Sequence, residues 1–442
     1  MARRKSALVF LLLCIMVVIL SPWADAPSPV SSVAVVPERE VPEPTESIMT
    51  QETQEISYLT VEVALVEKEF NALFIQNEEF KKRHPDILVQ MRRIEPSQAY
   101  SVYKLSSKME QSADIMLLPN EWVKEFASSG FLLPADAAFV GKALAEQFDA
   151  LAAPLKWNGY MWGVPRDMDP YVVVWNKDML QEWLGENVIF PLSIEQWTTL
   201  ADMSVQSQGT ISWLSLDGND PFSLLAWLEN VANERSDGLL DTGTDVWNGT
   251  IFEQALLLLD QYKANINFVG TEEISAQLLK DRATIMAIVP YSIAAKWNAV
   301  PRLDSEPKLE IDHQFWKLPF VWPRGNSFVI SANTKVEEAA NVWISEMTED
   351  LIQLQNMDET GKLPVYRALY DSDRTLSNLL SGRSSQAFPN QAPLQMGPDL
   401  AERLKQIGIL WARLSSGNLT IDEWKSMWSG ISHLSADREL ND

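Results

Sequence analysis

Residues 160–179 read YMWGVPRDMDPYVVVWNKDM, and this stretch indicates the fold more clearly than any other part of the chain. Tyr171 to Trp175 is apolar without alternation, which predicts a strand that is buried on both faces. Arg166, Asp167 and Asp169 lie directly before this strand. Charges at that place suit the edge of a sheet, where open α/β sheets bind their ligands. A loop of solvated charges is the alternative interpretation.

The rest of the chain repeats this alternation of strands and helices. Further strands are predicted at 58–65, 87–89, 113–118, 283–289 and 328–331, and helices at 334–347 and 400–414. Ser193 with Gln196 and Thr420 with Glu423 form capping boxes that start two more helices. Because strands alternate with helices, the sequence predicts an α/β fold with a parallel sheet.

Length and charge limit the classes of protein to which the chain can belong. With 442 residues it is too long for one ordinary domain, so two are expected. It carries 36 Lys and Arg against 60 Asp and Glu, a net charge of −24. Such a surface repels phosphate, which argues against nucleic acid and anionic membrane surfaces as partners. The 17 tryptophans suit both core packing and stacking against flat ligands.

The N-terminus has the features of a targeting segment. Residues 1–26 combine basic residues, an apolar run from Ala7 to Leu20 and a small-x-small cleavage pattern, so a signal peptide or an N-terminal anchor is expected. Pro27 opposes cleavage there, and Cys14, the only cysteine, follows a leucine where a lipoprotein signal needs a small residue. The Pro-rich stretch 27–56 predicts a disordered linker. We expect an exported protein at the extracellular face of the membrane, anchored or associated, or in the periplasm where an outer membrane exists.

Catalytic and metal-binding patterns are weak. The three histidines are scattered, and no pair has the spacing of metal ligands. The sequence contains no glycine-rich phosphate loop and no G-x-S-x-G elbow. No catalytic residue, metal or cofactor is therefore predicted. A pair of carboxylates acting as in a glycosidase remains an alternative, because acidic residues are abundant.

Carboxylate, amide and aromatic residues recur where predicted strands end. Carboxylates and amides hydrogen-bond to hydroxyls, and aromatic faces stack on sugar rings, so the mixture favours reversible binding of a sugar. The predicted ligand-binding residues, with Arg166 from the charged cluster, are Glu67, Lys68, Asn120, Glu121, Trp122, Arg166, Asp169, Asp220, Phe222 and Tyr291. Other interpretations are a solvated Lys68 at a helix start, a Trp122 packed under the next helix, and a core Tyr291.

At these positions the chain resembles the family-1 extracellular solute-binding proteins, the maltose-binding-protein-like receptors of ABC sugar importers. The resemblance runs from about Tyr58 to His433. It rests on EKEFNAL at 67–73, ADIM at 113–116, SGFLLP at 129–134, the stretch 163–177, DPF at 220–222, the strand end 286–291 and the strand-helix unit 328–347. The order and spacing of these motifs are more specific than any one of them.

The resemblance implies a two-lobed α/β fold of the periplasmic-binding-protein type II, with the ligand in a cleft between the lobes. The implied lobes are 57–168 with 326–372, and 169–325 with 373–442. The chain would cross between them near Met168–Tyr171, Pro323–Asn326 and Tyr370–Thr375, and the lobes would close on the ligand.

The resemblance also assigns roles to the predicted residues. In the first lobe it implies an acidic-basic contact pair, Glu67 with Lys68, and a second contact set, Glu121 with Trp122. It implies that Asp169 is the carboxylate at the first crossing. In the second lobe it implies an acid-Pro-aromatic contact, Asp220 with Phe222, and it implies that Tyr291 is a stacking aromatic. The chain departs from the family in lacking a lipobox and a late aromatic contact, near Met396 to Asp399, and in placing Phe222 where a hydrogen-bond donor is expected.

The implied function is a monomeric receptor that captures a sugar or oligosaccharide and delivers it to the permease subunits of an ABC importer, without catalysis. A membrane-anchored ligand sensor for a signalling partner is the alternative from another class, and a glycoside hydrolase is the third.

Overall fold

The structure is a computed structural model in which part of the chain is described. It describes residues 56–138, 149–232, 237–240, 247–299, 309–311, 324–373, 376 and 397–439. Every described residue belongs to one compact unit, Gln54–Asp442. The predicted targeting segment 1–26 and all but the end of the predicted linker 27–56 therefore lie outside the described residues.

The first sheet contains six strands of the described chain. Numbered in chain order, they are β1 (Ser57–Val63), β2 (Ile87–Arg93), β3 (Ile115–Pro119), β4 (Leu132–Leu133), β7 (Val164–Pro165) and β13 (Asn326–Ser331). Their order is β2-β1-β3-β13-β4, and β7 also pairs with β13. The first three are parallel as predicted, whereas β13 runs antiparallel to its neighbours, so the sheet is mixed. No direct connection joins β3 to β13, so the path of the chain does not require these two neighbouring strands to be parallel.

Helices cover both faces of the first sheet. They are α1 (Glu67–Arg83), α2 (Ala99–Lys108), α3 (Val123–Ser128), α11 (Glu337–Met347) and α12 (Asp350–Thr360). On one face Val61 and Phe328 pack with Trp343, and on the other Met116 packs with Phe126. Each face therefore has its own core, and the strands between the two cores are buried.

The charged residues at the ends of α1 explain why this polar segment forms a helix. Glu67 and Glu69 lie in its first turn and Lys81 to Arg83 in its last, so the side-chain charges oppose the helix dipole at both ends. The helix ends at His84, because the following Pro85 disfavours helical backbone at the residue before it.

The second sheet contains five strands of the described chain, in the order β10-β9-β11-β8-β12. They are β8 (Tyr171–Asn176), β9 (Ser212–Asp217), β10 (Ile266–Val269), β11 (Thr284–Pro290) and β12 (Leu309–Ile311). Every residue of β8 is buried, which confirms the strand predicted from its unbroken apolar run. Its direction is antiparallel to β11 and β12, so this sheet is also mixed rather than parallel.

Helices pack around the second sheet, and two of them begin at the capping boxes that the sequence predicts. The helices are α5 (Lys177–Leu184), α6 (Ile194–Gln206), α7 (Pro221–Ala232), α8 (Ile251–Gln261), α9 (Ala276–Lys280), α10 (Tyr291–Ala299), α13 (Arg367–Ser372), α14 (Leu400–Ser415) and α15 (Ile421–Glu439). The predicted capping box of α6 is present, with Ser193 N–H donating to Gln196 Oε1 at 2.9 Å. Thr420 caps α15 in the same way with Glu423. A short helix, α4 (Asp149–Ala152), and a hairpin of β5 (Lys156–Trp157) and β6 (Tyr160–Met161) precede β7.

Tryptophans form much of the core of the second lobe. Trp197, Trp213 and Trp227 are all fully buried and meet edge to face, with ring centroids 4.9–6.3 Å apart. Trp411 and Trp424 are also fully buried there. Aromatic edge-to-face pairs add to the stabilisation from burial, so these side chains fix the packing of α6 and α7 on the sheet.

Three segments connect the two lobes in the described chain. The first, between β7 and β8, includes Met168, whose backbone exchanges two hydrogen bonds with Leu363 at 2.8 and 2.9 Å. The second enters β13 through Gly325, where a Cβ would lie 2.2 Å from the backbone oxygen of Asp167. The third leaves α12: Leu363 and Tyr370 already pack in the core under β8. These contacts favour a third crossing near Gly361, earlier than the predicted Tyr370–Thr375.

Candidate functional site

A cavity of about 500 Å³ lies where the two lobes meet. The first lobe contributes Glu121 and Trp122, which follow β3, and the second contributes residues 219–222, which follow β9 and include the start of α7. Arg324, directly before β13, lies between them. One face of α14 completes the wall with Ala401, Leu404, Lys405, Gly408, Ile409 and Ala412. The structure therefore brings together four of the ten predicted residues: Glu121, Trp122, Asp220 and Phe222.

The turn after β3 is held by its first residue. Asn120 is fully buried, its N–H donates to the backbone oxygen of Gly325 at 3.0 Å, and its Oδ1 accepts from the Ser327 hydroxyl at 2.6 Å. Asn120 is not part of the cavity wall. Its side chain instead ties the 3₁₀ turn Asn120–Trp122 to β13, which fixes where the next two side chains lie.

Trp122 is oriented by an aromatic neighbour on α2. Tyr100 meets its ring edge to face, with centroids 5.1 Å apart and an angle of 75° between the planes. The Tyr100 hydroxyl donates to Glu125 at 2.8 Å and accepts from Lys104 at 2.6 Å. Because Tyr100 is held at both its ring and its hydroxyl, Trp122 presents a fixed apolar surface to the cavity.

Asp220 is held by a network that the sequence did not predict. Its Oδ2 accepts from the Tyr171 hydroxyl at 2.7 Å and from Arg324 Nη1 at 2.6 Å, and its Oδ1 accepts from the N–H of Phe222 at 2.9 Å. The Arg324 guanidinium also lies 4.8 Å from the Tyr171 ring and 5.9 Å from the Phe222 ring. Burial raises the pKa of Tyr171 well above its ordinary value, so this phenol remains a hydrogen-bond donor.

Arg324 is a charged residue of the cavity wall that was not among the residues predicted from the sequence. The residue stands at the predicted crossing Pro323–Asn326, and a charge beside a lobe crossing is the same signal that selected Arg166. Its side chain is 30% exposed, so part of the guanidinium remains open to a ligand. The arginine therefore links the crossing segment to the second-lobe wall.

Glu121 differs from Asp220 in having an unpaired oxygen. Its Oε2 is buried and has no hydrogen-bond partner among the described residues. Burial is the main cause that raises the pKa of Glu121 from 4.5 to about 7, and nearby Asp220 acts in the same direction. A hydrogen bond from its own backbone N–H and the charge of Arg324 oppose the rise in pKa. At neutral pH this carboxyl group exists in both protonation states.

Helix α14 approaches Asn219 and Pro221 closely because Gly408 has no side chain. A Cβ there would lie 3.3 Å from Pro221 Cδ and 3.4 Å from the backbone oxygen of Asn219. The small residues Ala401 and Ala412 lie on the same wall of the cavity. Apart from Lys405, the side chains that α14 contributes to this wall are aliphatic.

Arg166 and Asp169 lie in the crossing segment, away from the cavity wall. Arg166 is buried and donates to Asp167 at 3.0 Å and to Asn356 at 2.7 Å. Asp169 is also buried and accepts from the N–H and the hydroxyl of Ser292 at 2.9 and 2.8 Å. Burial raises the pKa of Asp169, partly offset by the charges of nearby cations. Both side chains are therefore fully engaged in holding the crossing and the start of α10.

Comparison with known proteins places the chain in a family. Residues 77–378 match the family model described as bacterial extracellular solute-binding protein. The chain belongs to this family of solute-binding proteins. A search of curated protein sequences finds no match.

Solved structures show the same two-lobed fold as this solute-binding protein. The sugar-binding protein MalE from Xanthomonas citri has a TM-score of 0.67 and 16% identity, covering 87% of this chain and 98% of that one. The GacH receptor of Streptomyces glaucescens, solved unliganded and with acarbose, has a TM-score of 0.64 and 18% identity, with the same coverage. Maltose-bound MalE3 of T. maritima has a TM-score of 0.64 and 19% identity, covering 86% and 100%.

The remaining predicted residues of the solute-binding protein lie apart from the cavity. Glu67 and Lys68 are exposed in the first turn of α1, and they do not line the cavity. Tyr291 is buried in the core under β8, and its N–H donates to the backbone oxygen of Pro170 at 2.8 Å. Burial raises the pKa of Tyr291 to about 12. The contact of Glu67, Lys68 and Tyr291 with a ligand stays a prediction.

Within the described ranges, no group of three or more His, Cys, Asp and Glu side chains is arranged to hold a metal ion. Across the same residues, no helix has both the length and the apolar character needed to cross a membrane. The family consists of substrate-binding receptors rather than enzymes.

Proposed function

We propose that this solute-binding protein captures a carbohydrate in the cavity between its lobes and delivers it to the permease subunits of an ABC importer. The observation that carries the proposal is the composition of the cavity wall. Trp122 and Phe222 supply aromatic surface from opposite lobes, and Glu121 supplies an acceptor. Arg324 supplies the guanidinium N–H donors that are not bonded to Asp220. Aromatic surface with a few fixed polar groups is typical of small-molecule sites.

The ligands of similar structures support a carbohydrate. Proteins of this fold have been solved with maltose, with acarbose and, in Agrobacterium vitis, with D-mannitol. These ligands share many hydroxyl groups and little charge. The aliphatic wall formed by α14 would favour a ligand that differs from a malto-oligosaccharide in size or stacking.

The wider role follows the same proposal. The protein would bind without catalysis, act outside the cytoplasm as a monomer, and stay at the membrane through its N-terminal segment 1–26. Its lobes would comprise 57–168 with 326 to about 362, and 169–325 with the remainder, with closure about the three crossings.

Thermal shift with a panel of mono- and disaccharides tests the proposal, because a ligand that binds only the folded state raises the melting temperature. Trp122→Ala should weaken binding of the hit about tenfold or more, since it removes aromatic surface from the cavity. Trp157→Ala is the matched control, because Trp157 is on the hairpin outside the cavity wall. Equal affinity in the two variants, or no stabilising sugar in the panel, would contradict the proposal.

A further inference from the structure

Glu121 is the acidic residue of the cavity whose carboxylate is not fully paired. The Asp220 carboxylate is paired with Arg324 and Tyr171, whereas Glu121 Oε2 is buried without a partner among the described residues. A buried acceptor of this kind costs free energy unless a donor reaches it. The cavity beside it is the space from which such a donor can come.

The charged groups around Glu121 act on it in opposite directions, since Arg324 favours the ionised form and Asp220 disfavours it. The charged groups on the elements packed near it are Arg324, Asp220, Lys405 on α14, Lys124 and Glu125 on α3, and Lys156 on β5. Arg324 and Asp220 neutralise each other at 2.6 Å, and Glu125 is paired with Lys104 at 2.5 Å. Lys405 is 60% exposed and lies 3.7 Å from Glu402, and Lys156 is exposed. An ionised Glu121 therefore gives the cavity a negatively charged hydrogen-bond acceptor.

We propose that Glu121 determines which sugars the cavity accepts: the ligand donates a hydrogen bond to its carboxylate from a hydroxyl or an ammonium group, and sugars that carry a carboxylate are rejected. The inference rests on the proposed carbohydrate function and deepens it. An ionised carboxylate is an acceptor only, so it selects for donors. A second carboxylate beside it is repelled, because two like charges cannot both ionise in one site without cost.

Binding is then linked to a proton. Because burial raises the pKa of Glu121 to about 7, about half of the free protein holds a proton on this group at neutral pH. Donors from the ligand stabilise the ionised form and lower its pKa. Binding of a neutral sugar therefore releases about half a proton at pH 7, and its affinity rises about tenfold between pH 6 and pH 8.

Calorimetry on the whole protein tests this inference. The probes are three matched series of neutral sugar, amino sugar and uronic acid: glucose, glucosamine and glucuronic acid, with the galactose and mannose counterparts. Heats measured at pH 7 in phosphate and in Tris give the number of protons released. The variants are Glu121→Gln and, as a control that removes one exposed carboxylate outside the cavity wall, Glu79→Gln.

The expected result is that the neutral or amino sugar of one series binds at least about tenfold more tightly than its uronic acid, with proton release. Glu121→Gln abolishes the release and the pH dependence, and Glu79→Gln keeps both. Tightest binding of a uronic acid, or binding without proton release in the unmodified protein, overturns the inference while leaving a carbohydrate receptor. If no probe binds the unmodified protein, the proposed function fails and the inference fails with it.

Discussion

Replacing Glu121 by Gln should stabilise the ligand-free protein, and the gain should grow with pH. The pKa of this group rises from 4.5 to about 7 because the charged form is buried. Between those two values the folded protein keeps a proton that the unfolded chain has lost, so its free energy of unfolding falls as the pH rises. The neutral amide of the variant does not titrate, so its stability lacks this dependence on pH.

The size of the effect follows from the pKa difference. A pKa difference of one corresponds to about 1.4 kcal/mol, so the rise from 4.5 to about 7 costs the folded state roughly 3 kcal/mol above pH 8. At pH 5 the cost is only about 1 kcal/mol. This pH is only slightly above the ordinary pKa of 4.5, so ionisation of Glu121 stabilises the unfolded chain little. Both values are large enough to measure against a typical total stability of about 5–15 kcal/mol.

Urea unfolding at pH 5 and pH 8 measures the difference between Glu121→Gln and the unmodified protein. The slope of free energy against urea should not change, since the variant exposes the same surface on unfolding. Glu79→Gln should change stability little at either pH, because Glu79 is exposed on α1. A gain of equal size at both pH values would show that packing rather than ionisation is responsible, which would contradict the prediction.

Substitutions at three further positions test the crossing and the cavity by urea unfolding. Gly325→Ala should cost roughly 3 kcal/mol or more, because its Cβ would lie 2.2 Å from the backbone oxygen of Asp167; wild-type stability would contradict the tight approach. Asp169→Ala should cost about 1–3 kcal/mol, since two donors at the start of α10 lose their acceptor, and a loss of ligand affinity without a loss of stability would instead restore its predicted ligand role. Arg324→Ala should cost about 2 kcal/mol and weaken binding by leaving Asp220 without its cation, whereas Arg324→Lys should keep part of both.

Local patterns were sufficient to predict much of the fold. The unbroken apolar run of β8 and the capping box of α6 depend on residues that are close in sequence, so their signals are complete in the chain itself. The direction of β13 is different, because it depends on the path by which the chain returns from the second lobe. Nothing near β13 in the sequence records that path.

The same contrast applies to the candidate site. Glu121 with Trp122 and Asp220 with Phe222 each follow a strand end, and the structure brings the two pairs to one cavity. Glu67 and Lys68 also follow a strand end, yet they are the exposed first two residues of a helix. The position of a side chain relative to a strand end does not specify on which side of the sheet it lies.

The tryptophan cluster of the second lobe has a consequence for spectroscopy. Indole rings 4.9–6.3 Å apart and inclined by 67–74° are close enough for their electronic transitions to couple. Coupled transitions of fixed, non-parallel rings produce a pair of circular dichroism bands of opposite sign, which vanishes when the rings separate. Trp343, a fully buried indole of the first lobe, packs against Phe328 rather than in that cluster. Loss of the paired bands would therefore report melting of the second lobe, separately from the first, without any added label.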